Sequence, residues 1–290
     1  VTYTAKDAVA VLPDRMYVAL NNANAAYPYD TEANAAASIG EVLTATIPGV
    51  TVLLHPDTYE IDPAGLTIPA GVTLASSTLN PEDVFFIHPK NAAGKYFLLT
   101  AAGSGLSSVT IDGATPVQGN YHEGGSILKI SAGTVSNCVV RNSKTGVSSD
   151  WAADAISVSG TGVLTDCVLT NNCCAKDATY ARSFLSVSGG EVRNCLVADT
   201  LAEDPAGGFA KGASAYVTGG VVTNCVFTRN RAAAGGGVCA EGGLVTDCLI
   251  WQNRSYGDVN TTLKDVYGGD ASRFERCVAR VAINETCTAT

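Results

Sequence analysis

The sequence predicts an all-β protein, namely a single-stranded right-handed parallel β-helix with a capping helix at its N-terminal end. Three observations support this prediction: a cysteine-centred repeat, a composition rich in small residues, and a helix-like segment ahead of the repeats. The chain has 290 residues, of which 30 are glycine, 46% are hydrophobic and 16% are charged. Charged residues make up about a quarter of a typical globular domain. A chain this poor in charge and rich in glycine favours β-structure.

A repeat of similar sequence recurs from Gly133 onward, and each copy is centred on a cysteine. The copies are GTVSNCVVRN, GVLTDCVLTN, GEVRNCLVAD, GVVTNCVFTRN and GLVTDCLIWQN, followed by the degenerate SRFERCVARV. Their cysteines are Cys138, Cys167, Cys195, Cys225, Cys248 and Cys277, which stand 29, 28, 30, 23 and 29 residues apart. A period of this size indicates a solenoid, in which each repeat contributes one coil.

Within each repeat, the positions three before and two after the cysteine are apolar in all six copies. Side chains alternate between the two faces of a strand, so residues three positions apart point to opposite faces. The cysteine and the apolar residue three before it therefore cannot both point inward from one flat strand. A corner at the residue just before the cysteine would restore the inward direction. That residue is Asn or Asp in five of the six copies, and these residue types tolerate left-handed backbone angles. Each repeat is therefore predicted to be strand, sharp turn, strand.

A third strand per coil is predicted from β-like stretches that end in glycine ahead of each unit. They are SILKISAG, DAISVSGTG, SFLSVSGG, SAYVTGG and GGVCAEGG. Each strand is expected to pair with its counterpart one coil away, at a spacing of about 4.8 Å. A leucine-rich repeat has a similar period, but here leucines are too few and the linking segments lack a helical apolar stripe.

Repeats such as GGGVCAEGGLVTDCLIWQN resemble the right-handed β-helix repeats of bacterial secreted and surface proteins, including polymorphic outer-membrane-protein types, within the pectate-lyase-like superfamily. The resemblance covers residues 98–282, and VTVLLHPDTYEIDPAGLTIPAGVTL is similar to the opening turns of such proteins. It implies the fold and several functions, because the superfamily holds lyases, hydrolases, tailspikes and adhesins. The polygalacturonase pattern of NTD, DD, GHD and RIK is absent from this sequence.

The segment TEANAAASIGEVLTATIPG predicts a helix that begins at Asp30 or Thr31 and ends at Pro48-Gly49. Its expected apolar face consists of Ala36, Ile39, Leu43 and Ile47. A solenoid needs a cap because its open end exposes strand edges and core. Residues 1–48 are therefore expected to form a strand and a capping helix, and residues 49–290 the β-helix, within one continuous domain.

The six repeat cysteines are expected to form a ladder of buried thiols. In-register Cβ atoms on parallel strands lie about 4.8 Å apart, above the roughly 3.8 Å that a disulfide requires. The other four cysteines are Cys173, Cys174, Cys239 and Cys287. A bridge from Cys173 or Cys174 to Cys239 or Cys287 is compatible with the sequence, and the pairing stays open. Paired CxxC motifs are absent, so a zinc site is not expected.

The charge of the chain excludes several partners. With 18 Lys and Arg against 27 Asp and Glu, the formal net charge is -9, so nucleic acid and anionic membranes are not expected to bind. A run of about 18 apolar residues is absent, and membrane insertion is not expected. Ten cysteines fit an oxidising compartment, and a start at Val1 fits a chain whose leader has been removed or whose end has been trimmed. The expected location is extracellular or at the cell surface.

Three segments that follow the second strand of successive repeats carry the candidate site residues. SKTGVSSDWAAD, NCCAKDATYARS and LAEDPAGGFAKG are expected to emerge on one side of the solenoid and to form a groove. A carboxylate pair suits glycoside hydrolysis, and a Lys or Arg base suits a lyase; the catalytic candidates are Asp150, Asp154, Lys176 and Arg182. The carbohydrate-binding candidates are Trp151, Asp177, Tyr180, Glu203, Asp204, Phe209 and Lys211. Solvated loops without a ligand are the simpler interpretation of the same residues.

The function expected from the sequence is a non-catalytic scaffold, adhesin or self-assembling appendage subunit. It would associate through the solenoid ends or with neighbouring surface proteins. The alternatives are a polysaccharide lyase or glycoside hydrolase, and a carbohydrate-binding module, each acting in the loop groove. Cofactors are not expected, although Asp258, Asp265 and Asp270 are candidates for Ca²⁺ binding.

Overall fold

The chain folds into stacked parallel coils, which confirms the predicted parallel β-helix. The computed structural model describes residues 13–62, 64–87, 97–113, 127–145, 155–174, 183–202, 214–232, 236–255, 265–267 and 271–279. Within these residues the chain forms three parallel sheets and one α-helix of seven residues. Five described coils carry a strand in each of the three sheets.

The strands are distributed over sheets A, B and C, with 15, nine and five described members. Sheet A contains Arg15–Val18, Thr51–Leu54, Leu66–Thr67, Thr73–Ser76, Phe97–Leu99, Gly105–Ser107, Leu128–Ile130, Thr134–Ser136, Ile156–Val158, Val163–Thr165, Leu185–Arg193, Ala215–Thr223, Val238–Thr246, Val266–Tyr267 and Phe274–Glu275. Sheet B contains Asp57–Glu60, Val84–Ile87, Thr110–Asp112, Val139–Arg141, Val168–Thr170, Leu196–Ala198, Val226–Thr228, Leu249–Trp251 and Val278–Ala279. Sheet C contains Lys144–Thr145, Cys173–Cys174, Leu201–Ala202, Arg231–Ala232 and Arg254–Ser255. Two short 3-10 helices span Pro81–Asp83 and Ala271–Arg273.

The first corner of each coil, between sheets A and B, lies at the predicted Asn or Asp. Seven consecutive coils place a left-handed residue here, with φ between 49° and 56°: Ser108, Asn137, Asp166, Asn194, Asn224, Asp247 and Arg276. Their side chains also bond from coil to coil on the outside. The Asn224 amide donates to Asn194 Oδ1 at 2.8 Å, and the Asn194 amide donates to Asp166 Oδ1 at 3.0 Å. The predicted corner is therefore confirmed, together with a side-chain ladder along it.

A second left-handed corner, which the sequence reading did not predict, follows five residues after the first. It lies at Asn142, Asn171, Asp199, Arg229 and Gln252, with φ between 53° and 62°. This corner turns the chain from sheet B into sheet C. Each of these coils therefore has a two-residue strand in sheet C that was not predicted. In the three coils that contain Leu185–Arg193, Ala215–Thr223 and Val238–Thr246, the first two predicted strands form one continuous strand of sheet A.

The repeat cysteines line the core at the first corner and carry free thiols, as predicted. They also form hydrogen bonds. The Cys195 backbone N–H donates to Cys225 Sγ at 3.4 Å, and Cys225 Sγ donates to the Thr223 carbonyl at 3.1 Å. Bonds to Cys138 and Cys195, together with burial, raise the pKa of the Cys167 thiol. The thiols are therefore polar partners of the corner backbone as well as small apolar fillers.

At the second corner, buried polar side chains accept backbone N–H groups of the neighbouring coil. We call this series of bonds the inner ladder. The N–H of Thr200 donates to Asn230 Oδ1 at 2.9 Å, and the N–H of Asn230 donates to Asn253 Oδ1 at 3.0 Å. The Asn230 amide then donates to the Val197 carbonyl at 3.0 Å. The last bond of this inner ladder runs from the Asn253 N–H to Asp265 Oδ1 at 2.7 Å.

The capping helix is shorter than expected and begins later. It spans Ile39–Ala45, with Ser38 as the N-cap, so the predicted start at Asp30 or Thr31 is wrong. The Ser38 hydroxyl accepts the Glu41 N–H at 3.2 Å, and Glu41 Oε2 accepts the N–H of Ala37, the residue before the N-cap, at 2.9 Å. This arrangement is similar to a capping box, in which the acidic side chain bonds the N-cap residue itself.

The predicted apolar face of the helix is correct only in part. Ile39 is buried, but Ala36 lies before the helix and bonds with Tyr17 as an extension of sheet A. Ile47 lies beyond the helix and is 44% exposed. Ala36 donates its N–H to the Tyr17 carbonyl and accepts the Ala19 N–H, and these two bonds hold the chain in an extended form, which explains why the helix cannot begin earlier. Residues 1–12 of the predicted cap lie outside the described residues.

Replacing Asn230 with Ala is expected to lower the free energy of unfolding by about 2 to 4 kcal/mol. The substitution leaves the Thr200 N–H and the Val197 carbonyl buried without their side-chain partner, and each loss costs about 1–3 kcal/mol. Denaturant unfolding followed by circular dichroism measures the change. The matched control is Asn224→Gly, which keeps the left-handed corner of the same coil and is expected to cost less than about 1 kcal/mol. Equal losses in the two variants would contradict the role of the inner ladder.

Candidate binding surface

One edge of the solenoid gathers the connections that run from sheet C back to sheet A. The strands on both sides of this edge are in register from coil to coil, as in Cys173 with Leu201 and Ser186 with Tyr216. Successive strand ends therefore lie about 4.8 Å apart. The connecting segments are residues 146–154, 175–182, 203–213, 233–235 and 256–264. We call this side of the molecule the connection edge.

The residues predicted to form a site belong to three of these segments and lie outside the described residues. The structure places the strand ends that precede and follow the segments, and these ends share the connection edge. The catalytic candidates among them are Asp150, Asp154, Lys176 and Arg182. The carbohydrate-binding candidates are Trp151, Asp177, Tyr180, Glu203, Asp204, Phe209 and Lys211. Their roles stay predictions.

The connecting segments differ widely in length, and one of them is very short. Three residues, 233–235, join Ala232 to Gly236, whereas the preceding connection spans residues 203–213. This difference explains why Cys225 and Cys248 are only 23 residues apart in sequence. Gly236 is required at the short connection, because a Cβ there would collide with the backbone nitrogen of Arg254.

Two arginines stand side by side on sheet C at the short connection. Arg231 and Arg254 are paired in register on neighbouring strands, and both are exposed. Their backbone N–H groups donate to the Thr200 carbonyl at 2.9 Å and to the Asn230 carbonyl at 2.8 Å. The sequence reading missed this pair, although the dipeptide Asn-Arg at 230–231 and 253–254 signals it once the second corner is known.

A row of aliphatic side chains on the outer face of sheet B forms a second distinctive surface. The position after each repeat cysteine points outward, and it is apolar in all six copies: Val139, Val168, Leu196, Val226, Leu249 and Val278. Val168, Leu249 and Val278 are 36%, 42% and 58% exposed. Contiguous exposed apolar surface of this kind is typical of an interaction face.

Several charged groups on the described surface form ion pairs between coils. Arg229 contacts Asp199 at 2.6 Å, and its hydrogen bond to that carboxylate lowers the pKa of Asp199. Arg276 contacts Asp247 at 2.6 Å and lowers the pKa of that carboxyl in the same way. These carboxylates are therefore ionised at neutral pH and serve to link adjacent coils.

Metal-binding candidates are few in the part of the chain that the structure describes. It contains no cluster of three or more His, Cys, Asp and Glu side chains that could hold a metal ion. Of the three aspartates considered for Ca²⁺, Asp265 is buried and accepts bonds from Asn253, while Asp258 and Asp270 lie outside the described residues. The described helix is too short to cross a bilayer.

Comparison with known proteins provides little beyond the fold. No known protein family matches the sequence, and no curated protein matches it. Among solved structures, the chain is similar to one described as a rhamnogalacturonan lyase, with 11% sequence identity and a TM-score of 0.33. The similarity covers 93% of this chain and 85% of that chain. At this level the likeness concerns the fold alone and carries no argument about the surface.

Replacing residues 203–213 with Ala-Ala-Gly-Gly, the sequence of residues 233–236, is expected to leave the fold intact. The flanking strands are held by coil-to-coil bonds, and because Ala215 is in register with Val238, the equivalent span from Ala232 to Gly237 is already closed by four residues. The melting temperature should change by no more than about 4 °C. A matched control replaces the same segment with eleven residues of Gly and Ser. Failure of the short variant to fold, with the control folded, would contradict this expectation and would show that the framework requires the length of this connection.

Proposed function

We propose that the protein is a non-catalytic scaffold of the cell surface or the extracellular space, which displays binding segments along its connection edge. The contrast between regular framework positions and variable connecting segments within each repeat supports this proposal. The corner, core and strand positions vary little from coil to coil, whereas the connecting segments differ in both length and sequence. Such a division suits a rigid support that presents variable surface.

The described polar residues support this role because they are engaged in holding coils together. Asn230 and Asn253 serve the inner ladder, and Asp199 and Asp247 pair with arginines of the next coil. These bonds repeat along the long axis and stiffen the solenoid. A stiff rod of this kind keeps the segments on its connection edge at fixed spacing.

For partners, we propose polysaccharide at the connection edge and protein at the outer face of sheet B. The aromatic candidates Trp151, Tyr180 and Phe209 belong to connecting segments and would offer stacking platforms to sugar rings. The aliphatic row on sheet B favours contact with a neighbouring surface protein or with another copy of the chain. Association through the solenoid ends is a further proposal of the same kind.

A polysaccharide lyase or glycoside hydrolase is the second candidate function. It is favoured by the shared edge, since segments that carry Asp150, Asp154, Lys176 and Arg182 begin and end one coil apart. Acid and base groups from neighbouring segments would then face one polysaccharide chain. A lyase would use Lys176 or Arg182 as the base, and a hydrolase would use the two aspartates.

The decisive experiment is a polysaccharide binding screen combined with a turnover assay, with and without Ca²⁺. The scaffold proposal predicts binding by the natural chain, loss of binding in the variant with Ala-Ala-Gly-Gly at 203–213, and no release of reducing ends or unsaturated uronates. Turnover that disappears in Asp150→Asn or Lys176→Gln would replace the proposal with the enzyme. A chain that binds none of the polysaccharides would contradict display of glycan-binding segments.

A further inference from the structure

We propose that two copies of the chain associate by packing the outer faces of their B sheets against each other. The proposal rests on the scaffold function proposed above and commits the aliphatic row to one partner, namely a second copy. The row consists of Val139, Val168, Leu196, Val226, Leu249 and Val278. The assembly is a symmetric dimer, because the same face supplies both halves of the contact.

Exposed apolar side chains are concentrated on this face. In the part of the chain that the structure describes, seven large apolar residues are exposed, and four of them lie on sheet B: Val168, Leu249, Trp251 and Val278. Half-buried Leu196 and Val226 complete the row between them. The other three exposed residues stand at separate positions nearer the N-terminus: Tyr27, Ile47 and Leu79. A contiguous apolar patch marks an interaction site, whereas scattered apolar residues need no partner.

The regular spacing of the row favours another copy over an unrelated protein. Neighbouring residues are in register, as in Leu196 with Val226 and Val226 with Leu249, so they stand about 4.8 Å apart. Two sheets pack face to face when side chains of one fill the spaces between those of the other, at a separation of about 10 Å. A second sheet B repeats the same spacing over the same number of coils. A helix, which rises about 5.4 Å per turn, does not keep this match.

The charge of the chain explains why two copies would meet at this face. Each copy has a formal net charge of -9, so the molecules repel each other as a whole. The outward strand positions of sheet B are uncharged from Val168 onward, since the aliphatic row is followed two residues later by Thr170, Ala198, Thr228 and Trp251. Beside this face, Asp199 and Asp247 are paired with arginines of their own molecule. Salt screens the overall repulsion and is therefore expected to strengthen the contact.

The size of the face sets the strength of the dimer. Six coils at about 4.8 Å and five residues of about 3.3 Å between the corners give a face of about 24 by 16 Å, or about 400 Å² per copy. Specific, stable interfaces bury about 800 Å² per partner. The contact is therefore smaller than that of a permanent dimer, and we expect a dissociation constant above about 1 µM. Such a dimer forms where copies are held at high local concentration, as on a surface.

The test measures the mass of the natural full chain by sedimentation velocity, at low and high salt, up to a concentration of about 1 mM. Leu249→Lys is expected to raise the dissociation constant at least about tenfold, because it removes apolar contact and places charge in an uncharged interface. Ile47→Lys is the matched control, since Ile47 is 44% exposed against 42% for Leu249 but lies between the capping helix and sheet A. Both variants change the net charge equally, and the control should shift the constant by less than about twofold.

Fluorescence of Trp251 provides a second readout that leaves the aliphatic row unchanged. The chain has two tryptophans, so Trp151→Phe leaves Trp251 as the only one. Trp251 is 39% exposed on sheet B, and packing against a second copy removes water from its indole ring. Its emission should move to shorter wavelength as the concentration rises, with the same midpoint as the change in mass.

Several outcomes would overturn the proposal. They are a chain that stays monomeric up to about 1 mM, a dimer that Leu249→Lys leaves unchanged or that both Lys variants weaken equally, and dimer formation without a shift in Trp251 emission. A dimer that salt weakens would assign the contact to charged groups and would also overturn it. Melting temperatures show whether the variants fold, and if Leu249→Lys does not, the Trp251 emission decides. Polysaccharide binding by a monomeric chain would leave the scaffold function standing while this interface fails.

Discussion

The structure depends on satisfying the backbone N–H groups that two left-handed corners turn into the core in five of the described coils. At the first corner, the N–H of a repeat cysteine finds the sulfur of the cysteine one coil away, as in Cys138 with Cys167 at 3.4 Å. At the second corner, a buried asparagine oxygen accepts the N–H, as in Asn253 to Asn230 at 3.0 Å. A buried N–H without a partner costs about 1–3 kcal/mol, so each coil needs its neighbour. The stacking of coils is therefore built into the corner chemistry and not only into apolar burial.

This constraint explains how much of the fold the sequence could predict. The first corner has a clear signature, because apolar positions change parity across an Asn or Asp that is followed by Cys. The second corner has none, because Asn142, Asp199 and Gln252 share a backbone conformation without sharing a residue type. The corner residue points to solvent, so its residue type can vary. The residue after it is buried and is a small polar type in each case, as in Ser143 and Thr200. The helix start was misjudged for a different reason, namely that Ala36 is engaged with Tyr17 in sheet A.

The candidate surface was predictable to a lesser extent. The predicted residues, from Asp150 to Lys211, lie in connecting segments whose length and sequence do not repeat. The repeat pattern therefore predicts only that these segments emerge on one side of the solenoid, and not how their side chains are arranged. The arginine pair was missed because it becomes visible only when strand register is known. Arg231 and Arg254 are 23 residues apart in sequence and one strand apart in space. The aliphatic row on sheet B was also not predicted. An apolar residue that repeats in every copy normally indicates an inward position, whereas the residue after each repeat cysteine points outward. Buried polar side chains thus fix the path of the described coils, whereas the proposed binding residues stand at outward positions and in the connecting segments.

Amide hydrogen exchange at the residues after the corners tests this account most directly. The amides of Cys138, Cys195 and Cys225 at the first corner, and of Thr200, Asn230 and Asn253 at the second, lie outside strands or at their margins. If neighbouring coils hold these groups, they exchange as slowly as amides in the middle of sheet B, such as that of Val197. Exchange at these six amides as fast as in exposed turns, with Val197 still protected, would show that the coils are held by strand pairing and apolar burial alone and would contradict the central claim.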